Sequence, residues 1–209
     1  MDKIHISNKT IERLSRYLRY LTYLELDGVE RVDSKELAEL ALVSPALLRK
    51  DLSHFGGFGK SGYGYDIVHL KKSIEKILNT DNPKNFIIIG AGNIGKALAN
   101  YIYFEKLNFM LKAIFDCDSK KISEKIGKLN VKSCDDLSNY LKEYSVDIAI
   151  LTTPMQAVKG LFHILVQNEV PAVWNFAPID IKSAKNTHVI NEHLSKNLLV
   201  LSYHIKNKH

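Results

Sequence analysis

The chain has 209 residues, 45% hydrophobic and 25% charged, which is ordinary for a globular protein and long enough for two cores. Its net charge of +6 is spread over both halves, so it permits a polyanionic partner without locating one. No apolar run reaches the roughly 18–20 residues of a membrane span, and the polar start MDKIHISNKT lacks a secretory core, so a cytoplasmic protein is expected. Cys117 and Cys134 have neither CxxC spacing nor metal-ligand partners nearby. Both are expected to be small packing residues, with neither a disulfide framework nor a metal site indicated.

Ile11, Leu14, Leu18 and Leu21 step at helical spacing and predict a helix from about Thr10 to Leu26, ended by Gly28. Asp33 and Glu36 have capping-box-like spacing and open a short second helix with Leu37, Ala38, Leu40 and Ala41 on its apolar face. Ser44-Pro45 starts a third, running to about Phe55. Leu48, Leu52 and Phe55 share one stripe of that helix, and Ala46, Arg49, Lys50 and Ser53 share the other. Two short helices joined by a tight turn, the second with small, polar and basic residues free, suit recognition of a major groove; a solvated charged face accounts for the same residues. GGFGKSGYGYD (56–66), with five glycines, tips the balance by predicting a tight hairpin. Such a wing sets Lys60 against phosphates or in a minor groove. A fourth helix, Asp66 to Leu78, offers Ile67, Leu70, Ile74 and Ile77 to close the core. The N-terminal region reads as a winged helix.

A polar stretch, Asn79 to Asn85, reads as a linker, and the periodicity then changes to short β-rich runs alternating with helices. Phe86 to Ile89 is a strand, GAGNIG (90–95) follows, and KALANYIYFEK continues as a helix. In that context Gly90 permits a tight turn, Gly92 lets the backbone approach a pyrophosphate, and Gly95 lets helix pack on strand; Ala91, Asn93 and Ile94 complete the loop. The second strand, Leu111 to Asp116, ends in an acid placed to take the adenosine ribose hydroxyls. Asp116 repels a 2′-phosphate, so NADH and NAD+ are expected rather than NADPH. Later units are VDIAILTTP (146–154), a helix from Met155 to Gln167, and PAVWNFAP (171–178). Ligands lie at the carboxyl ends of such strands. Thr152, Thr153, Pro154, Asn175, Phe176 and Ala177 are therefore candidates to line the nicotinamide side, although a plain strand-end turn accounts for each equally well. No substrate domain is left over, and His163, His188, His193 and His204 lie in no motif that activates a base. The cofactor is expected to be bound without a reaction to perform, and the chain not to be an enzyme.

These residues resemble the Rex family of bacterial redox-sensing repressors, homodimers with a winged helix joined to a Rossmann domain. The resemblance covers almost the whole chain and rests on YLRYL (17–21), SPALLRKDLSHFGGFGKSGYGY (44–65), GAGNIGKALANY (90–101), FDCD (115–118), NFAP (175–178) and LSY (201–203). It implies an α/β chain with a winged-helix domain over residues 1–80, a Rossmann dinucleotide-binding domain over 84–190, and a C-terminal domain-swapped helix and tail over 191–209. It further implies that NADH binding releases a palindromic double-stranded DNA operator, that NAD+ leaves or favours the DNA-binding form, and that Ala46, Arg49, Lys50, Ser53, His54 and Lys60 face DNA. The last helix, roughly Asn191 to Ile205, is expected to pack on a partner subunit through Leu194, Leu198 and Leu201. Three contacts tie cofactor state to domain orientation in the family, from an arginine, a tyrosine and an aspartate. They fall here on Arg19, Tyr101 and His193, so the anion is expected to be missing and the NADH response to be weak and pH-dependent near imidazole's titration range. Two further departures are His54 where tyrosine is usual and Ser61 where the wing usually has arginine.

Two other readings use the same residues. One is a small NAD-dependent oxidoreductase whose N-terminal helices serve dimerisation, and the other is a winged-helix regulator holding a different nucleotide.

Overall fold

The computed structural model describes residues 6–53, 59–60 and 63–206. Two compact units divide the chain, Met1–Asn82 and Pro83–His209.

In the first unit α1 (Asn8–Leu26) starts at Ser7, whose hydroxyl accepts the Thr10 N–H at 3.2 Å, and ends where Gly28 turns at φ +75°. Strand β1 (Arg31–Val32) leads to α2 (Ser34–Leu40), capped by Asp33, whose carboxylate accepts the N–H groups of Lys35 and Glu36. Then follow α3 (Pro45–Ser53), β2 (Gly59–Lys60), β3 (Gly64–Asp66) and α4 (Ile67–Ile77). The strands form a small antiparallel sheet in the order β1-β3-β2, with Lys60 opposite Gly64, so the glycine-rich stretch makes the wing. Leu14, Leu18, Leu21, Leu37, Ala38, Leu48, Leu52, Ile67, Leu70 and Ile74 fill the core. Ile11, expected among them, is 41% exposed; Tyr17, about one turn from both Leu14 and Leu21, takes the core place. Phe55 lies outside the described residues.

A buried ionic cluster ties α1 to α3. Asp51, 2% exposed, accepts hydrogen bonds from Arg13 Nε at 2.5 Å, Arg13 Nη2 at 2.7 Å and the Tyr17 hydroxyl at 2.9 Å. Its place between Leu48 and Leu52 is the physical reason: Asp51 lies on the packed side of α3, where a lone carboxylate is costly and a bidentate guanidinium offsets the desolvation.

In the second unit seven strands align as β10-β9-β8-β4-β5-β7-β6, all parallel except the short β6. These are β4 (Lys84–Ile89), β5 (Phe109–Asp116), β6 (Lys125–Ile126), β7 (Leu129–Ser133), β8 (Ile148–Leu151), β9 (Ala172–Asn175) and β10 (His188–Asn191). The helices are α5 (Asn93–Ala99), α6 (Tyr103–Lys106), α7 (Leu137–Glu143), α8 (Met155–Gln167) and α9 (Leu194–Lys206). Alternation along β4 builds a core on each sheet face. Ile87 and Ile89 meet Phe115, Leu151, Val158 and Leu165, while Phe86 and Ile88 meet Ile114, Val131 and Ile150.

Three boundaries differ from expectation. Lys84 and Asn85, read as linker, already pair with Phe109 and Met110. The helix after the glycine loop stops at Ala99, where the Asn100 amide turns back to the Lys96 carbonyl at 2.8 Å, and restarts at Tyr103. β10 is an edge strand with alternately exposed residues, which gave no apolar run to read.

Replacing Asp51 by Ala leaves Arg13 and the Tyr17 hydroxyl without their acceptor, and is expected to cost about 3–5 kcal/mol in urea unfolding. Burial, then the hydrogen bond to Asp51, pushes the Tyr17 hydroxyl far above the ordinary phenol range. A raised folded value means this contribution is complete below about pH 10 and is lost as pH rises further. Equal urea midpoints for wild type and Asp51→Ala would show that the cluster does not hold α3.

Candidate nucleotide pocket and helix face

Order reverses at β4, with β5 and β7 on one side and β8 and β9 on the other, and sheets of this kind hold ligands in the crevice at the carboxyl ends of such a switch point. Backbone hydrogen bonds align those ends: Gly90 donates to the Phe115 carbonyl at 2.7 Å, Thr152 to Ile89 at 2.9 Å and Phe176 to Leu151 at 2.8 Å.

The three glycines have different causes. At Gly90, φ +114°, a Cβ would lie 2.7 Å from the Thr152 backbone; at Gly95 it would strike the Gly90 carbonyl oxygen. Both are required by the fold itself. Gly92 has an ordinary φ of −80°, and a Cβ there meets nothing within 4 Å. Its missing side chain leaves room for something other than this chain. No side chain caps α5, and its first internal backbone bond is Lys96 N–H to the Gly92 carbonyl, so the amides of Asn93, Ile94 and Gly95 stand at the loop as donors to an anion.

Asp116 ends β5 and is 7% exposed. One oxygen accepts the Ala91 N–H at 2.6 Å and the Lys121 ammonium at 3.1 Å, and the other accepts the Asp118 N–H at 2.8 Å. Burial pushes its pKa up, but the hydrogen bonds from Asp118, Ala91 and Lys121 outweigh it and hold the group below the usual carboxylate range. Lys121 gave no signal in the sequence.

On the other side of the crevice the candidates divide. Thr152 donates its hydroxyl to the Gly90 carbonyl at 2.7 Å and braces the glycine loop. The Thr153 hydroxyl is buried with no hydrogen-bond partner among the described residues, which suits a polar ligand group. Pro154 is exposed at the start of α8. Asn175, fully buried, uses both amide donors inside the fold, to the Ile179 carbonyl at 2.7 Å and to Asn191 Oδ1 at 2.9 Å. It shapes the turn rather than offering an amide to a ligand. Ala177 is buried behind it, donating its N–H to Asn175 Oδ1, and Phe176 lies against Trp174 with centroids 4.5 Å apart.

Cys117 and Cys134 are joined by a disulfide, correcting the reading of two packing residues. Asp116 pairs with Ser133 across β5 and β7, so the next residue of each strand comes side by side, with Cα atoms 5.0 Å apart. A separation of 17 residues carries no trace of that register.

In the first unit Ala46, Arg49, Lys50 and Ser53 are all exposed on one face of α3, and Arg49 donates to the Ser34 hydroxyl at 3.1 Å. Lys60 lies in β2 of the wing. His54 and Ser61 lie outside the described residues. Arg19 is exposed on α1 with its guanidinium 5.2 Å from the Tyr20 ring centre, and Tyr101 occupies the break between α5 and α6, 54% exposed. His193 precedes α9, and its Nε2 lies 2.8 Å from Asp180 Oδ1. Asp180, thirteen residues upstream, thus sets a carboxylate beside the histidine. Among the described residues no cluster suits a metal ion, and no helix is long and apolar enough to cross a membrane.

A family model described as "CoA binding domain" matches residues 81–179, and one described as "Putative DNA-binding protein N-terminus" matches residues 5–53. A redox-sensing transcriptional repressor Rex of Clostridium botulinum is 45% identical over 96% of this chain and 95% of its own length. The Rex of Clostridium acetobutylicum is 44% identical over 96% of this chain and 94% of its own. This chain belongs to the Rex family. A solved structure described as RSP in complex with β-NAD+ and operator DNA matches with a TM-score of 0.92 and 40% identity, covering 99% of this chain and 95% of that one. RSP in complex with β-NADH matches at 0.88 and 38%, covering 99% and 97%. The Rex fold thus extends over both units, and Rex proteins are transcriptional repressors rather than enzymes.

The glycine geometry separates two substitutions. Gly92→Val is expected to leave thermal unfolding within about 0.5 kcal/mol of wild type, whereas Gly95→Ala, driven into the Gly90 carbonyl, is expected to cost about 1–3 kcal/mol or more. Similar melting losses in both would show that Gly92 is also a packing glycine.

Proposed function

We propose that this chain is a DNA-binding repressor that reads the NADH/NAD+ ratio, holding an operator through the α3 face and the wing and releasing it when NADH occupies the crevice of the second unit. The observation that carries the ligand class is Gly92, the loop glycine whose Cβ space nothing in the protein fills, beside free amides of α5 and the Asp116 carboxylate. The Ala91, Lys121 and Asp118 donors leave Asp116 one acceptor site, on Oδ1, to which a ribose hydroxyl would donate. A depressed folded pKa keeps that acceptor anionic at neutral pH, and the charge is lost only as pH falls through the depressed value. An anion there disfavours the 2′-phosphate of NADP(H) and the 3′-phosphate of coenzyme A, which sets the reading apart from the wording of the family model over residues 81–179. Thr153 follows the end of β8, and its hydroxyl, buried and without a partner among the described residues, would suit a polar group on the nicotinamide side.

The dimer has its own support. No residue of α9 is buried, and Leu194, Leu198 and Leu201 are 60%, 69% and 58% exposed. Phe104, Phe109, Ile148, Trp174 and Ile190 line an apolar groove on the sheet. A second copy covers such surfaces at the low cost of symmetry, and a two-fold dimer matches a palindromic operator. Work on DNA places the protein in the cytoplasm. Domain roles follow: the winged helix (1–80) is the output, the Rossmann domain (84–190) the sensor, and 191–209 the swapped element. Arg19, Tyr101 and His193 couple them, with Asp180 supplying the carboxylate beside His193.

The test is a gel-shift series on operator-like palindromic DNA at varied NADH/NAD+. Wild type is expected to release DNA as NADH rises, Gly92→Val to bind DNA but ignore NADH, and Arg49→Ala to lose about 1–3 kcal/mol on the specific site alone. NADH turnover with a carbonyl substrate and no DNA binding would favour the oxidoreductase. In the same series Asp180→Asn is expected to blunt release by NADH while operator affinity without NADH stays at wild type. An unchanged NADH response would remove the Asp180–His193 pair from the coupling.

A further inference from the structure

We propose that Cys117 and Cys134 form a reversible dithiol–disulfide site at the adenosine-ribose rim of the crevice, through which a small disulfide oxidant tightens NADH binding. The inference rests on the dinucleotide reading of the crevice and adds a second redox input to it.

Position is the first support. β5 and β7 are parallel neighbours whose last paired residues are Asp116 and Ser133, and the two cysteines are the next residue of each. Their Cα separation of 5.0 Å lies inside the range a disulfide spans, so the bond opens and closes without a change of fold. Cys117 sits within the turn by which the Asp118 N–H reaches back to Asp116, the ribose acceptor. Cys134 opens the single 3-10 turn Cys134–Asp136, capped by the Ser133 hydroxyl accepting the Asp135 N–H at 3.2 Å. Closing the bond ties these two turns together directly beside Asp116. A tied rim is preorganised for the ribose, whereas a reduced one must be ordered on binding, which weakens affinity.

Exposure is the second support. Cys117 is exposed, and Cys134 is half-buried against the core that includes Leu137 and Phe115. Cys117 therefore meets the oxidant and Cys134 resolves. The Cys117 thiolate attacks a small disulfide RSSR, forming a Cys117–SR bond and expelling RS⁻. The Cys134 thiolate then attacks the Cys117 sulfur, forming the internal bond and expelling the second RS⁻. The dithiol loses two electrons and two protons, and RSSR becomes two RSH. A protein working on DNA sits in a reducing compartment, where a disulfide is transient and sensing rather than a permanent staple.

The experiment uses the full-length protein equilibrated in dithiothreitol or in oxidised glutathione. Free thiols are counted by maleimide labelling, and NADH affinity is measured by calorimetry after the reagent is removed. Oxidised wild type is expected to lose both labels and to bind NADH about fivefold more tightly than reduced wild type, a modest coupling between two sites. Cys117→Ser and Cys134→Ser are expected to keep the reduced affinity under either treatment. Labels retained in oxidant, equal affinity in the two states, or serine variants that still respond would each overturn the proposal. NADH binding absent in both states, with operator binding intact, would overturn the reading of the crevice itself and this site with it.

Discussion

The approach of Gly95 to the Gly90 carbonyl decides where the second unit can hold a ligand. It seats the first turn of α5 directly on the end of β4, which a side chain at either position would prevent. Three neighbours then brace the loop between those glycines. The Phe115 carbonyl takes the Gly90 N–H from the β5 side, Thr152 donates to the Gly90 carbonyl from the β8 side, and Asp116 takes the Ala91 N–H. What the bracing leaves free is the edge at Gly92 and the amides that follow it. A cradle held this way needs little ordering when an anion arrives, so more of the contact energy appears as affinity.

A buried carboxylate gives the first unit a similar constraint. Asp51 fixes the rotation of α3 against α1, and that rotation decides which residues of α3 are left outside. With Asp51 turned inward beside Leu48 and Leu52, Ala46, Arg49, Lys50 and Ser53 are turned outward together. A hydrophobic residue at position 51 would pack as well or better; what the ion pair adds is a single geometry, since a bidentate guanidinium accepts one orientation. Here a packing group sets which face α3 presents without belonging to that face.

Local rules explain what was legible in the sequence. Asp33 and Ser44-Pro45 act over three or four residues, and each helix start they signal is where the structure has it, whereas the helix signalled by the glycine loop starts inside that loop, at Asn93. The wing was readable because its glycines punctuate a short hairpin. What escaped depends on contacts across the chain. Asp51 looked like one more polar residue of α3, since nothing nearby reveals that Arg13, thirty-eight positions away, faces it. Tyr17 displaced Ile11 because burial of its ring is accompanied by a hydroxyl partner, which periodicity does not record. The Cys117–Cys134 pair arises from strand register and the Asp180–His193 contact spans thirteen residues across β10, and neither leaves a spacing to read. The pocket shows the same division: the glycine loop and Asp116 came from a motif, whereas the internal duties of Thr152 and Asn175 follow from tertiary hydrogen bonds.

A nucleotide site without a catalytic base has a thermodynamic use that an enzyme site lacks. If NADH weakens operator binding by some factor, operator must weaken NADH binding by the same factor, because both act on one equilibrium between states. A ligand held equally by the two states shifts nothing, however tightly it binds. NADH and NAD+ share their pyrophosphate and adenosine ribose, so contacts to those groups set affinity for both. Discrimination has to come from the nicotinamide end, where the redox states differ in charge and ring shape.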